Sequence, residues 1–252
     1  MYRNSSRQLA NFSLYVGPAL IINIDCSHDH FRLFGSKDLL DIWPRLSQSP
    51  IITQFDWSSL IHSAFNSNHD LFESPLALHT DSSDTTALSP LLRRLPGLLV
   101  MHIRHGDFIN HCDQLARFSA GFNGFNQFEA LPDKFDIPPG GGWDENLAVY
   151  RRHCIPSIPQ IVSKVSEVKR KVSGLDRVYI MTNAKREWVN ELIQALQQTT
   201  SPDKWNTVRS TRDLTLTREQ KFVSHALDML VAQRAQSFIG NGVSIVNQLV
   251  DQ

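Results

Sequence analysis

The sequence has few cysteines and no excess of charge of either sign. Cys26, Cys112 and Cys154 are an odd number without a CxxC pair, so they signal neither a disulfide framework nor a zinc ribbon. The 25 basic residues balance the 25 acidic ones, so the net charge gives no indication of a nucleic-acid partner or an anionic membrane surface. The longest apolar run near the start, Leu14–Ile24, is too short and too interrupted to span a bilayer. A chain with 41% apolar residues can nevertheless bury a substantial core.

A polar stretch, Asp81–Thr86, divides the chain, and we place a domain boundary between it and Pro96. Residues 1–95 are then a partial N-terminal domain with a linker. From residue 96 to 252, apolar runs of strand length alternate with amphipathic helical patterns; the runs lie near 98–103, 177–181, 205–208 and 237–239. This alternation predicts an α/β domain, a Rossmann-like parallel sheet with helices on both faces.

Helix signals in this second domain vary in strength. Ser157 can cap a helix that begins near residue 158, and Asn183 can cap the next one. Thr217 has capping-box spacing and opens a helix with Phe222 among its inward residues. The stretch from Cys112 to Gly142 has no periodicity and is rich in Phe, Asn and Gly. Such a stretch inside a compact domain predicts a long functional loop.

The strand Leu98–Ile103 ends in a polar turn, Arg104-His105-Gly106-Asp107. Open α/β sheets bind ligands at the carboxyl ends of their strands, so this is where a site is expected. An arginine beside a glycine suits a phosphate group held by two hydrogen bonds. The alternative is an ordinary surface salt bridge of Arg104.

A second strand-to-helix turn lies near the end of the chain. Gly240, Asn241 and Gly242 lead into Ser244 and a last predicted helix. Free N–H groups and the helix dipole at such a turn favour an anion. Together with Arg104 on a neighbouring strand, the turn predicts a diphosphate site.

Several titratable side chains near these turns allow other interpretations. Asp107 and Asp228 could each act as a general base or as a structural cap. Two groups could be read as metal ligands, but their spacing matches no standard zinc motif, so no metal is expected. These groups are Cys26, His28 and His30, and His102, His105, Asp107, His111 and Cys112.

Arg104-His105-Gly106 also resembles the Arg-His-Gly motif of the histidine phosphatases, in which the histidine is the nucleophile. That family uses a second catalytic histidine, for which His153 and His225 are the candidates here. Its strand normally opens the domain, which would make everything before Pro96 an extension. A phosphomonoester hydrolase is therefore one alternative function.

Taken together, His102–Asp107 and Phe238–Ser244 resemble two motifs of the GDP-fucose protein O-fucosyltransferases. In that family a His-x-Arg-Arg-Gly-Asp strand end precedes a Phe-Ile-Gly-Asn-x-Val-Ser-Ser turn. Val178–Asn183 is similar to the strand between them, which ends in Thr-Asp or Thr-Asn near the nucleotide. The resemblance covers roughly residues 96 to 252.

This resemblance implies the nucleotide-sugar-binding, C-terminal half of a GT-B glycosyltransferase. The family transfers fucose from GDP-fucose to a Ser or Thr hydroxyl of an acceptor with inversion, without a metal or other cofactor, in the lumen of the secretory pathway. The acceptor would be a protein or a glycan. Arg104 would be the catalytic residue, because it matches the arginine that neutralises the departing GDP. The implied donor-binding residues are His102, Arg104, Gly106, Asp107, Thr182, Asn183, Gly240, Asn241 and Ser244.

Three departures from the family pattern affect this expectation. His105 replaces the second arginine, and Ile245 replaces a hydroxyl residue of the last turn. Residues 1–95 lack the family's Gly-rich acceptor loop, and the chain ends inside the last predicted helix. We therefore expect a truncated chain that retains a piece of the first domain and nearly all of the second. Such a chain can be inactive, so a non-catalytic relic or binding module is the other alternative.

Overall fold

The structure is a computed structural model that describes residues 36–73, 94–106, 108–120 and 142–240. Its centre is a parallel sheet of β1 (Leu95–Ile103), β2 (Arg177–Thr182), β3 (Thr207–Ser210) and β4 (Ala235–Gly240). The spatial order is β3-β2-β1-β4, and each neighbouring pair is parallel. The prediction of an α/β fold with a parallel sheet is confirmed.

Helices connect and precede the strands. In the described part of the chain, three α-helices precede the sheet: α1 (Ser36–Leu46), α2 (Pro50–Thr53) and α3 (Ser59–Ser67). Between β1 and β2 lie α4 (Ile109–Arg117), α5 (Trp143–Cys154) and α6 (Ile158–Lys171), and α7 (Arg186–Gln197) follows β2. After β3 come α8 (Arg218–Lys221) and α9 (Ser224–Arg234). Among the described residues, no helix is both long and apolar enough to cross a membrane.

The central strand β1 is apolar along most of its length because helices cover both faces of the sheet. Leu98 and Val100 face one core, and Leu99 and Met101 face the other. All four side chains are fully buried. A near-continuous apolar run, rather than an alternating one, is the expected pattern for a strand covered on both sides.

One face of the sheet is covered by α3, α9 and the residues around them. Phe72 is fully buried, stacks on Phe65 and meets the ring of Tyr179 edge-on, with ring centroids 5.3 and 5.0 Å away. The buried Arg177 donates to the carbonyl of Phe72 at 2.8 Å. Trp57 belongs to the same core. Residues 57–72 therefore share one core with the strands of the second predicted domain, and the boundary before residue 96 stays a prediction.

The other face is covered by α6 and α7. The backbone N–H of Ser157 donates to Gln160 Oε1 at 2.8 Å, which completes the capping box that opens α6. The inward residues of the two helices meet the sheet residues of this face in one core; they include Val165, Val168, Leu192 and Leu196. The predicted start of α6 is confirmed.

The stretch predicted as a long irregular loop is partly helical. Helix α4 continues to Arg117 within it, and the prediction is wrong there; α5 begins at Trp143, just after the stretch. Residues 121–141 lie outside the described residues. Cys112 and Cys154, for which the sequence signals no disulfide framework, form a disulfide between the two helices. The two cysteines are 42 residues apart, so no short sequence motif marks them as a pair. Their pairing depends on how α4 and α5 pack.

Two helix starts also differ from prediction. Lys185, not Asn183, is the N-cap of α7, because the Asn183 side chain turns toward β1 instead. The helix predicted from Thr217 divides into α8 and α9, with Phe222 between them. Phe222 is 83% exposed, so its predicted inward position is wrong. The last predicted turn beyond Gly240 lies outside the described residues.

Candidate functional site

The order of the strands defines where the sheet can bind a ligand. The chain runs from β1 outward to β2 and β3, then returns to the opposite side of β1 as β4. The connections therefore diverge at the carboxyl ends of β1 and β4, where His102 pairs with Gly240. Crevices at such switch points are the usual ligand sites of open parallel sheets. Arg104 follows β1 at this edge.

The turn after β1 keeps Arg104 in solvent. Gly106 has a φ of +80°, which glycine adopts without strain, and open space surrounds it on the side where a Cβ would lie. The Arg104 guanidinium lies 5.4 Å from the centroid of the Phe108 ring, a cation–π arrangement. The Phe108 ring thus helps to orient the Arg104 guanidinium, while the backbone at Gly106 stays accessible.

Thr182 and Asn183, at the end of β2, hold this turn in place. The Thr182 hydroxyl donates to the carbonyl of Ile103 at 2.6 Å and accepts from the N–H of Ala184 at 3.1 Å. Asn183 Oδ1 accepts from the backbone N–H of His105 at 2.7 Å. Both residues therefore lie beside the Arg104 turn, and their bonds give them a positioning role that we did not foresee.

His105 packs against an aromatic residue of α7. Its ring centroid lies 4.5 Å from that of Trp188, at an interplanar angle of 34°. Trp188 also packs against the core between α7 and the sheet. Its contact with a residue 83 positions earlier leaves no local signal, so sequence reasoning missed it. The two rings hold the outer side of the Arg104 turn.

His102 lies within β1 and is partly buried. Burial first, then the charge of Arg104 and the neighbouring His225, lower the pKa of His102 from 6.5 to about 4. The ring is therefore neutral at pH 7, with one nitrogen available as a donor and the other as an acceptor. A neutral histidine adds no charge that would compete with Arg104 for an anion.

Asp228 is buried below the middle of the sheet rather than at its carboxyl edge. It accepts a hydrogen bond from the Tyr179 hydroxyl at 2.8 Å, and Tyr179 pairs with Val100 in mid-strand. Burial raises the pKa of Asp228 to about 7, against a smaller lowering by the bond from Tyr179. This position supports a structural role more than that of a base at the Arg104 turn.

The residues considered as metal ligands do not assemble in the described part of the chain. Across residues 36–73, 94–106, 108–120 and 142–240, no three His, Cys, Asp or Glu side chains lie close enough to hold a metal ion. Cys112 is oxidised in the disulfide. Four of the residues considered as metal ligands lie outside the described part of the chain: Cys26, His28, His30 and Asp107.

The histidines needed for a phosphatase lie on different elements. His225 is exposed on α9, and its electrostatic effect falls on His102. His153 is exposed on α5. The ring of His105 itself packs against Trp188. The geometry therefore gives no specific support to His105 as a nucleophile.

The chain matches no protein-family model and no curated protein. The features that indicate a function are therefore the geometry of the Arg104 turn and the motifs of the chain. Of the implied donor-binding residues, Asp107, Asn241 and Ser244 lie outside the described part of the structure.

Proposed function

We propose that this chain binds a nucleotide diphosphate sugar at the carboxyl edge of its sheet. The proposed donor is GDP-fucose, and the proposed reaction is transfer of fucose to a Ser or Thr hydroxyl of a protein. The fold would then be the donor-binding half of a GT-B glycosyltransferase. The observation that carries the proposal is the exposed Arg104 at the switch point of a parallel sheet.

Arg104 has the chemistry that the leaving group requires. When the bond between the anomeric carbon and the diphosphate breaks, negative charge accumulates on the departing phosphate. A guanidinium can donate two parallel hydrogen bonds to phosphate oxygens and does not lose its charge. Stabilising charge that develops in the transition state is worth about 2.7–4 kcal/mol for one donor. The acceptor oxygen attacks from the opposite face of the sugar, which inverts the anomeric centre.

The turn around Arg104 is organised before any ligand arrives. Thr182 and Asn183 bond to backbone atoms on either side of Arg104, and Trp188 packs on His105. An ordered turn reduces the entropy that ligand binding costs. Gly106 leaves open space beside the backbone, where a phosphate group can approach closely.

The disulfide between α4 and α5 supports a secretory location for this function. Both sulfur-bearing residues are fully buried. Disulfides form and persist in oxidising compartments such as the lumen of the endoplasmic reticulum. Transfer of fucose to secreted proteins would take place in the same compartment.

Calorimetric titration with GDP and with GDP-fucose tests the donor site. We expect both to bind, and we expect Arg104→Ala to weaken binding by about tenfold or more, since a hydrogen bond to a charged group contributes about 1.5–3 kcal/mol. Arg170→Ala is the matched control. Arg170 is exposed near Asp203, at the opposite edge of the sheet, and its removal is expected to leave GDP binding unchanged.

The outcomes separate the alternatives. GDP binding that Arg104→Ala leaves unchanged would overturn the assignment of the site. Binding without release of GDP from GDP-fucose, when Ser- and Thr-containing acceptor proteins are present, would favour a non-catalytic binding module. Hydrolysis of a phosphomonoester that is lost in His105→Ala would favour the phosphatase.

A further inference from the structure

A second concave site lies away from the sheet, at one end of the paired helices α4 and α5. This end cleft is lined by Ala116, Arg117, Ser119, Trp143 and Asn146, and its volume is about 590 Å³. Ligand pockets in proteins usually have volumes of roughly 300–1,000 Å³. The cleft is therefore large enough for a small organic molecule.

The two helices form a rigid frame for the cleft. Cys112 and Cys154 join them covalently. Arg151 donates two hydrogen bonds to the carboxylate of Asp113, at 3.1 and 2.9 Å. The buried Tyr150 donates to the carbonyl of Ala120 at 2.7 Å. A pocket on a cross-linked frame needs little ordering when a ligand binds, which favours affinity.

Asn146 places an unsatisfied polar atom at the cleft. The residue is 5% exposed, and its Nδ2 donates to the Ser119 hydroxyl at 3.2 Å. Its Oδ1 has no hydrogen-bond partner. Buried polar atoms are nearly always bonded in folded proteins, so an orphaned oxygen at a pocket indicates a missing partner.

Ser119 closes the C-terminal end of α4, at the edge of the cleft. Its φ is +45°, in the left-handed region that non-glycine residues seldom occupy. Its N–H donates to the carbonyl of Ala116 at 3.3 Å, and the N–H of Ala120 donates to that of Leu115 at 2.9 Å. This is the bond pattern of a Schellman motif, in which a left-handed residue is usual. Ser119 is also the residue that anchors the amide of Asn146.

The remaining lining residues indicate the kind of ligand. Trp143 is 45% exposed and offers an aromatic surface for an apolar ring face. Arg117 adds donors, but Asp144 and Glu145 lie in the first turn of α5 and oppose an anion there. The missing partner of Asn146 must donate or, if the amide is turned over, accept a hydrogen bond. A hydroxyl group does both.

We propose that the end cleft binds a neutral, hydroxyl-rich ring, namely a pyranose unit of a glycan. The C–H face of the ring packs on Trp143, one hydroxyl bonds to the amide of Asn146, and another accepts from Arg117. The site is separate from the Arg104 turn, and the proposal does not depend on GDP-fucose binding.

Saturation-transfer NMR with the full chain tests this proposal. The probes are the methyl pyranosides of fucose, glucose, galactose and N-acetylglucosamine. We expect at least one of them to receive magnetisation on its ring protons. Trp143→Ala and Asn146→Leu are each expected to weaken that binding by about tenfold, because each removes one recognition element. Phe222→Ala, which removes an exposed aromatic ring outside the cleft, is expected to leave it unchanged.

Trp143 is exposed, so its replacement keeps the test interpretable if Asn146→Leu does not fold. Absence of transfer to all four pyranosides would overturn the proposal. Binding that Trp143→Ala leaves unaltered would overturn it as well, and so would displacement of the sugar by sulfate. A parallel GDP titration of Trp143→Ala is expected to match the wild-type chain, so failure of the cleft and failure of the donor site are distinguishable.

Discussion

Replacing Asp228 by asparagine is expected to change how the stability of the fold depends on pH. The Asp228 carboxyl is buried and accepts the Tyr179 hydroxyl at 2.8 Å. An asparagine has nearly the same shape, and its Oδ1 can accept the same bond. The substitution therefore removes the titration and leaves the packing and the hydrogen bond in place.

The size of the effect follows from the pKa of Asp228. In the unfolded chain the carboxyl titrates near 3.8, and burial raises its pKa to about 7 in the folded protein. Between these values the folded state holds a proton that the unfolded state releases, so the free energy of unfolding falls as the pH rises. At 1.36 kcal/mol per pH unit, the total loss is about 4 kcal/mol. Above about pH 7 the wild type keeps this full penalty, and Asp228→Asn has none.

Urea unfolding followed by tryptophan fluorescence measures this difference. The wild type and Asp228→Asn are compared between about pH 4.5 and about pH 8.5, where the difference in unfolding free energy is expected to grow with pH by a few kcal/mol. Asp41→Asn, which changes an exposed carboxylate of α1, is the matched control and is expected to show no such trend. A constant offset between wild type and Asp228→Asn over this range would refute the reasoning.

Three further results are expected. The pKa of His102 is lowered from 6.5 to about 4 in the folded state, so His102 by itself adds up to about 3 kcal/mol to the free energy of unfolding as the pH rises from about 4 to 6.5, opposite in sign to the contribution of Asp228; His102→Gln should remove this contribution, measured as the difference from the wild type in the same urea series. Phe72→Ala should lower the free energy of unfolding by about 3–5 kcal/mol in urea titration, because the ring is fully buried against the sheet; a loss below about 1 kcal/mol would contradict the shared core. Reduction should raise the number of thiols titratable in the denatured chain by two, one each from Cys112 and Cys154; an unchanged count would mean that the disulfide does not form.

Local sequence signals predicted much of the sheet domain. A continuous apolar run marks β1, because both faces of that strand are covered. The capping residues Ser157 and Gln160 fix the start of α6 through bonds between residues three positions apart. The polar turn after β1 predicted the location of Arg104, since strand ends in parallel sheets converge at one edge.

Contacts between distant parts of the chain could not be predicted in this way. Asn183 has a side chain that suits a helix N-cap, yet its oxygen accepts from the backbone N–H of His105, in the turn after β1. Trp188 belongs to an amphipathic stripe, and only the packing of α7 brings it to His105. At Phe222 the predicted helix is broken: α8 ends at Lys221 and α9 begins at Ser224, so a single helical stripe no longer describes the side chains.

The packing of residues 57–72 beneath the sheet has a consequence for how the chain reaches its fold. These residues are synthesised before the strands of the described sheet, yet their partners lie far along the chain: Phe72 accepts from Arg177, and Trp57 donates to Gln233, 176 positions later. Their apolar side chains must remain uncovered until α9 and β4 have emerged. Contacts of such long sequence separation slow folding and expose surfaces that aggregate. Completion of this core is therefore expected to be a late event, and the early segment is where a chaperone would be needed most.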